Sequence, residues 1–176
     1  MFSQGVLAYL LPLHVEALGY SSRMSGTLMS MFGIIAVLMF VLPTNRIFDK
    51  VQSVYTLLIG VCLMAISQIL IGQSATTLTL YAVLGLYGLG FAFLFPSITT
   101  LLIKSTTSET RGKAYGIFYA FFSLGVVVGS SLLGMLPFNL QQSFLFTGVV
   151  LLSFAAVVVT DTLLQKRQKA NISRSA

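Results

Sequence analysis

Few side chains in this sequence could take part in acid–base or ionic chemistry, and five of them form two short clusters of mixed charge. The 176 residues include ten Lys and Arg, four Asp and Glu, and one His. Each cluster combines acidic and basic residues, so the two could attract each other and form an ionic latch between helix pairs. They could equally be solvated loop charges that only set the topology. The residues are Arg46, Asp49 and Lys50 in the first cluster and Glu109 and Arg111 in the second.

The other reactive residues argue against an enzyme. His14 and Glu16 are the only titratable side chains in or next to an apolar segment, and they could carry a proton or simply lie at the membrane interface. Cys62 stands alone, which excludes an intrachain disulfide and a metal cluster built on cysteines. No Gly-x-Ser-Gly motif accompanies the single histidine, and no channel filter sequence is present. We therefore predict no catalytic residue, no metal site and no cofactor.

Two long stretches, 51–103 and 114–160, contain no charged residue at all. The whole chain is 56% apolar and 8% charged, with a mean hydropathy of +0.94, whereas soluble domains are about 25% charged. A charge at the centre of a bilayer costs roughly 2.5–3.5 kcal/mol on insertion scales. The composition therefore predicts an all-α integral membrane protein.

Segment lengths predict six transmembrane helices, since about 20 helical residues cross the hydrocarbon core. The first segment is the weakest, because its apolar run ends at Leu13 and it looks cut off. Beyond the last helix we expect a basic and frayed tail at 161–176. The predicted helices are at about 1–19, 25–43, 51–72, 77–103, 113–134 and 142–160.

The basic residues are distributed asymmetrically about these segments. Nine of the ten lie in alternate loops or the tail, and Arg23 alone falls on the other side. Because Lys and Arg in short loops stay in the cytoplasm, both termini are expected there. The net charge of +6 is then explained by topology and lipid headgroups, and it does not indicate nucleic-acid binding.

Small residues and one proline predict where helices approach closely. Small residues four apart let two helix backbones meet, which matters in lipid. We expect the fourth and fifth helices to pack against each other, and the third and sixth, which are nearly all apolar, to be peripheral. Thr106 and Glu109 have the spacing of a capping box, which places the start of the fifth helix there. The predicted packing residues are Gly85, Gly88, Pro96, Gly125, Gly129 and Gly134.

The charged loops resemble motifs of the major facilitator superfamily, specifically its drug-antiporter-like branch. The signature loop of that family runs Gly-x3-Asp-Arg/Lys-x-Gly-Arg. Asp49 and Lys50 match it, whereas Asn45 and Gln52 stand in place of its glycines. The run Arg-Gly-x-Ala-x-Gly at 111–116 matches the family's entry into a helix. The resemblance covers the whole chain.

Further features of the resemblance favour a C-terminal half. The segments 2–13 and 18–21 resemble the seventh helix of such transporters and the turn after it. An arginine expected in the fourth helix of N-terminal halves is replaced by Tyr81 or Leu84, and Gly129-Ser130 replaces a Gly-Pro pair. The six helices would then be helices seven to twelve.

The resemblance implies a half-domain made of two inverted three-helix repeats, which encloses a central cavity together with another half. The first, second, fourth and fifth helices would line that cavity, and the third and sixth would face lipid. An amphipathic or aromatic solute would suit the side chains available. The implied pathway residues are Gln4, Tyr9, Phe91, Phe95, Tyr119, Phe122 and Ser123.

The implied function is that of the C-terminal half of a secondary active transporter. It would move a small amphipathic or drug-like solute by alternating access, with proton-coupled efflux in the full protein, in a bacterial plasma membrane. No buried carboxylate is available, so the proton carrier would lie in an N-terminal half. The alternative is a truncated or non-transporting half that acts only by pairing. The expected partners are membrane lipid, the solute, protons, and an N-terminal half or a second copy.

Overall fold

A computed structural model describes residues 1–41 and 52–175, with the backbone alone for Phe40 and for 165–175. Every regular element in these ranges is an α-helix, which confirms the all-α prediction. Five of the helices are long and apolar enough to cross a membrane. The helices are α1 (Phe2–Ala17), α2 (Ser22–Val41), α3 (Ser53–Gln73), α4 (Thr77–Lys104), α5 (Arg111–Met135) and α6 (Leu140–Ser175).

The ends of the chain differ most from the predicted helices. With 16 residues, α1 spans about 24 Å, which is less than the ~30 Å hydrocarbon core. In contrast, α6 has 36 residues and continues to Ser175. The segment expected to be a frayed tail is therefore a helical extension of the last span.

The helices pair as two inverted three-helix repeats. Helix α1 packs on α5, α2 packs on α4, and α3 packs on α6. Each pair takes one helix from 2–73 and one from 77–175, and equivalent helices cross in opposite directions because three crossings separate them. The arrangement is the half-domain that the sequence predicted.

Helix α3 is the most buried of the five long spans, although the sequence predicted that it would be peripheral. It packs on α1, α4 and α6, and half of its residues are buried, against 11% of those in α5. Apolar residues surround the whole helix, so hydropathy alone does not distinguish a lipid face from a protein face. One apolar stripe does remain exposed on α3, at Tyr55, Ile59, Ile66 and Leu70.

A close helix contact joins α3 to α4 through two glycines that face each other. A Cβ on Gly60 would lie 2.7 Å from the Gly90 carbonyl oxygen, and a Cβ on Gly90 would lie 2.8 Å from the Gly60 carbonyl oxygen. Neither position has room for a side chain. The backbones therefore meet directly, as small residues allow in membrane helices.

The predicted packing glycines also make close contacts, but not between α4 and α5. A Cβ on Gly88 would lie 2.8 Å from the Phe32 carbonyl oxygen of α2, and Gly85 faces α2 as well. Gly125 and Gly129 face the first residues of α1, and a Cβ on Gly134 would lie 3.3 Å from Tyr9 Oη. Because these glycines serve the α2–α4 and α1–α5 pairs, α4 and α5 touch only lightly. The expectation that α4 and α5 pack closely is wrong.

The start of α5 also differs from the prediction. The Thr106 hydroxyl donates to the Leu102 carbonyl oxygen at 2.8 Å, so it belongs to the end of α4. Helix α5 begins at Arg111 after Thr110, whose hydroxyl accepts from the Thr107 N–H at 3.2 Å. The capping box predicted at Thr106 and Glu109 is therefore wrong.

A capping box of this kind occurs instead at the start of α6. The Gln142 N–H donates to Asn139 Oδ1 at 2.8 Å, and the Asn139 N–H donates to Gln142 Oε1 at 3.1 Å. These two bonds satisfy N–H groups that would otherwise be exposed at the beginning of the helix.

The Gly60–Gly90 contact gives a direct test of the bundle. We expect Gly60→Ala to destabilise the protein by about 1–3 kcal/mol, because the added methyl overpacks two backbones. The melting temperature in detergent would fall by roughly 2–4 °C per kcal/mol. Gly33→Ala is the matched control, since nothing lies within 4 Å of a Cβ there. An equal fall in melting temperature in both variants would show that the close approach at Gly60 and Gly90 does not stabilise the bundle.

Candidate solute pathway

A series of aromatic rings connects α2 to α4. Phe32 makes edge contacts with Tyr87, with ring centroids 5.4 Å apart, and with Phe91, at 5.5 Å. Phe91 then stacks on Phe95 at 5.7 Å, one turn further along α4. Residues four apart on one helix share a face, so the two phenylalanines present a continuous aromatic surface.

The series continues across the gap between α4 and α5. Phe95 contacts Phe118 at a centroid distance of 6.4 Å, and Phe118 lies 6.2 Å from Phe122 and 5.2 Å from Tyr119. We call this set the aromatic ribbon. It contains Phe32, Tyr87, Phe91, Phe95, Tyr115, Phe118, Tyr119 and Phe122.

The ribbon brings together four of the seven pathway residues that the resemblance implied. Phe91, Phe95, Tyr119 and Phe122 belong to it, from two helices that otherwise touch only lightly. Phe118 was missed, although its spacing from Phe122 on one helix could have indicated it. Phe32 and Tyr87 could not be assigned from sequence, because their contact depends on how α2 and α4 pair.

The other three predicted residues lie outside the ribbon. Tyr9 is 41% exposed on α1, beside Gly134 of α5. Ser123 is exposed on α5. Gln4 is half-buried, and its Oε1 atom is buried without a hydrogen-bond partner.

Next to the ribbon, three fully buried polar side chains join α1, α3 and α4. Gln68 Nε2 donates to the Ser3 carbonyl oxygen at 2.9 Å and to Ser3 Oγ at 2.8 Å. Ser3 Oγ and Tyr87 Oη lie 3.0 Å apart. Because water cannot reach these groups, each depends on the others for its hydrogen bonds. The network fixes Tyr87 and, through it, one end of the ribbon.

The two titratable candidates lie apart from the ribbon at the end of α1. His14 is buried, and its Nε2–H donates to the Ser74 carbonyl oxygen at 3.0 Å. The ring also makes an edge contact with Phe144. Glu16 is exposed. These contacts join the end of α1 to the turn between α3 and α4.

The predicted latch is only partly within the described residues. Arg46, Asp49 and Lys50 lie outside them. Glu109 is exposed and Arg111 is half-buried, with Nε buried and unpartnered. Within 52–175, no ion pair joins these two side chains.

Comparison with known proteins agrees with this arrangement. A sequence profile described as Major Facilitator Superfamily matches residues 1–174. The chain belongs to this superfamily. Its fold, with paired inverted repeats and apolar spans, is that of a membrane half-domain of the superfamily, and the chain is an integral membrane protein.

Three relatives are similar to this member of the superfamily. An uncharacterised MFS-type transporter of Methanocaldococcus jannaschii is 25% identical over 138 residues, which is 77% of this chain and 34% of the relative. Multidrug resistance protein 1 of Bacillus subtilis is 28% identical over 61% of this chain and 29% of its own length. Multidrug resistance protein 2 of the same organism is 23% identical over 88% of this chain and 39% of its own length. The chain spans about a third of the length of these relatives. The superfamily match and the relatives together support a role in transport.

The buried polar network can be tested by removing one hydroxyl. We expect Tyr87→Phe to cost about 0.5–1.5 kcal/mol, because Ser3 loses a partner that water cannot replace. The melting temperature in detergent would fall accordingly. Tyr9→Phe removes a hydroxyl from an exposed ring and should leave the melting temperature unchanged. A neutral Tyr87→Phe variant would show that the network does not hold the helices together.

Proposed function

We propose that this chain is the C-terminal half of a secondary active transporter, which moves a small aromatic or amphipathic solute by alternating access. The aromatic ribbon carries this proposal. It runs across α2, α4 and α5 without a charged side chain, and stacked rings offer a flat aromatic solute successive contacts.

The exposure of the helices supports a missing partner at this face. Only 17% of the residues from Ser22 to Met39 in α2 and 11% of those in α5 are buried, whereas 44% of those in α4 are buried. These exposed helices carry one end of the ribbon at Phe32 and the other at Phe118 to Phe122. A second half would cover the ribbon and form a cavity with it, as in transporters built from repeated halves. Gln4, Tyr9 and Ser123 would then contribute polar contacts at the margin of the cavity.

The solute class follows from the same side chains. Ring faces bind apolar aromatic groups and also attract cations. The names of the two Bacillus subtilis relatives, both multidrug resistance proteins, are consistent with efflux of such solutes. We therefore propose efflux of drug-like compounds from a bacterial cell as the activity of the complete transporter.

Proton coupling would come from the other half. A coupling residue must titrate within the solute pathway, and the ribbon has no acidic or basic side chain. His14 and Glu16 lie outside the ribbon, where an interfacial role suits them better. We further propose that Glu109 and Arg111 form the latch with Arg46, Asp49 and Lys50 at the cytoplasmic surface.

A second candidate function rests on the exposed faces of α2 and α5. The chain could act only by pairing, with an N-terminal half or with a second copy, and transport nothing itself. This alternative needs the same interface but not the ribbon. A substitution in the aromatic ribbon should therefore impair a transporter but leave a protein that acts only by pairing unaffected.

Transport by reconstituted halves tests the proposal. The chain alone in proteoliposomes should not move ethidium, an aromatic cation. Adding the part of Multidrug resistance protein 2 that lies outside the matched region should give proton-dependent efflux. Phe95→Ala should lower that efflux about tenfold, because one lost aromatic contact is worth about 1–1.5 kcal/mol.

The control variant is Phe138→Ala. Phe138 lies between α5 and α6, pairs with Phe146 and is outside the ribbon, so efflux should be unaffected. Assembly of both halves without ethidium movement would favour the pairing-only function. Proton-coupled efflux by the chain alone would contradict the proposal that the other half supplies proton coupling.

The proposed orientation, with both termini in the cytoplasm, has its own test. Ser21 and Ser108 are exposed residues in turns at opposite ends of the bundle. In a Cys62→Ala background, an impermeant maleimide should label Ser21→Cys in intact cells. It should label Ser108→Cys only after permeabilisation. The reverse labelling pattern would show that both termini lie outside the cytoplasm.

A further inference from the structure

Arg23 is the basic residue that falls on the side of the membrane opposite the other nine. It lies in the first turn of α2, and its side chain is exposed. Glu16 is also exposed at this end of the bundle, but within 1–41 and 52–175 no ion pair joins it to Arg23. The charge of Arg23 is therefore available to an external anion.

A groove of about 460 Å³ lies between α2 and α4 and is open along its length. None of its described lining side chains carries a charge, and Tyr81 contributes the one hydroxyl. The groove could therefore hold a hydrocarbon chain but no ionic group. Its lining includes Met31 and Ile35 of α2, and Leu78, Tyr81, Ala82 and Leu86 of α4.

The groove and the aromatic ribbon lie on opposite sides of α4. Gly85 and Leu89 line the groove, whereas Tyr87 and Phe91 belong to the ribbon. Residues two apart on a helix point about 200° apart, because each residue turns the helix by about 100°. A second half that covers the ribbon would therefore leave the groove facing the bilayer.

A contact between two hydroxyls connects Arg23 to the groove. Thr27 lies one turn after Arg23 on the same face of α2, and its Oγ1 atom lies 2.7 Å from Tyr81 Oη. Helices α2 and α4 run in the same direction, because the chain reverses twice between them. The contact therefore places Arg23 level with Thr77, the first residue of α4. Arg23 stands at the membrane-surface end of the groove.

We propose that the groove binds one anionic phospholipid, with an acyl chain between α2 and α4 and the phosphate at Arg23. A guanidinium binds phosphate through two parallel hydrogen bonds and keeps its charge at physiological pH. The lining is uncharged and Arg23 at its end is cationic, so an anionic headgroup is favoured. The lipid would brace the α2–α4 pair from behind the ribbon.

In the proposed orientation, this lipid comes from the outer leaflet. Binding itself depends neither on that orientation nor on transport, so it can be measured on the chain alone. A failure of the transport proposal would leave this site unaffected, and the reverse also holds.

The headgroup is tested by adding phosphatidylglycerol to the chain in detergent and measuring the dissociation constant by native mass spectrometry. We expect Arg23→Gln to raise this constant about tenfold, because the charged partner of the phosphate is lost. Lys113→Gln is the matched control, since it removes the same charge from an exposed residue at the other end of the bundle. An equal change in both variants would overturn the placement of the phosphate at Arg23.

The acyl chain is tested by filling the groove. Ala82 is exposed and lines the groove, so Ala82→Phe should weaken phosphatidylglycerol binding about tenfold, which needs the loss of only two buried methylenes. Ala156→Phe is the control, because Ala156 is exposed on α6 and does not line the groove.

Melting temperature gives a second measurement on the same proteins. A ligand that binds only the folded state stabilises it, so phosphatidylglycerol should raise the melting temperature of the original chain and of Ala156→Phe. It should not raise that of Ala82→Phe. Undiminished binding and stabilisation of Ala82→Phe would overturn the proposal and indicate that another helix, rather than lipid, covers the groove.

Discussion

The direct meeting of helix backbones at glycines is the constraint on which this bundle depends. Lipid supplies no hydrophobic drive between helices, so association requires close packing and interhelical hydrogen bonds. Gly60 and Gly90 bring α3 and α4 together, and Gly5 and Gly88 do the same for the two outer pairs. Once the backbones are this close, Gln68 can reach the first turn of α1 and Tyr87 can reach Ser3. The polar network and the ribbon both follow from these contacts.

The sequence predicted where the helices lie far better than which helices pack against each other. Span lengths and charge placement located all six helices, and every boundary except the end of α6 lies within a few residues of its prediction, because insertion into lipid constrains composition strongly. Pairing depends on which face of each helix carries its glycines, and hydropathy is almost equal around these helices. The burial of α3 was therefore underestimated, and Gly125 and Gly129 were assigned to the wrong partner.

Only some of the residues expected to line a solute pathway lie together in the structure. Phe91, Phe95, Tyr119 and Phe122 were chosen by resemblance, and the structure joins them into one ribbon. Gln4, Tyr9 and Ser123 came from the same reasoning but lie elsewhere, since their location depends on the rotation of α1 and α5. Thr106 shows that a local motif can also be misassigned when only sequence spacing is considered. Its spacing suited a helix start, yet its hydroxyl bonds back to Leu102 in the preceding helix.

The length of α6 has a geometric consequence. Its 36 residues correspond to about 54 Å of helix, which exceeds the hydrocarbon core by roughly 24 Å. The surplus lies at the C-terminal end, where the sequence changes from apolar to basic after Thr160. The last span therefore continues as helix beyond the hydrocarbon core, and its basic residues reach the headgroup region of one leaflet, where anionic lipids attract Lys and Arg.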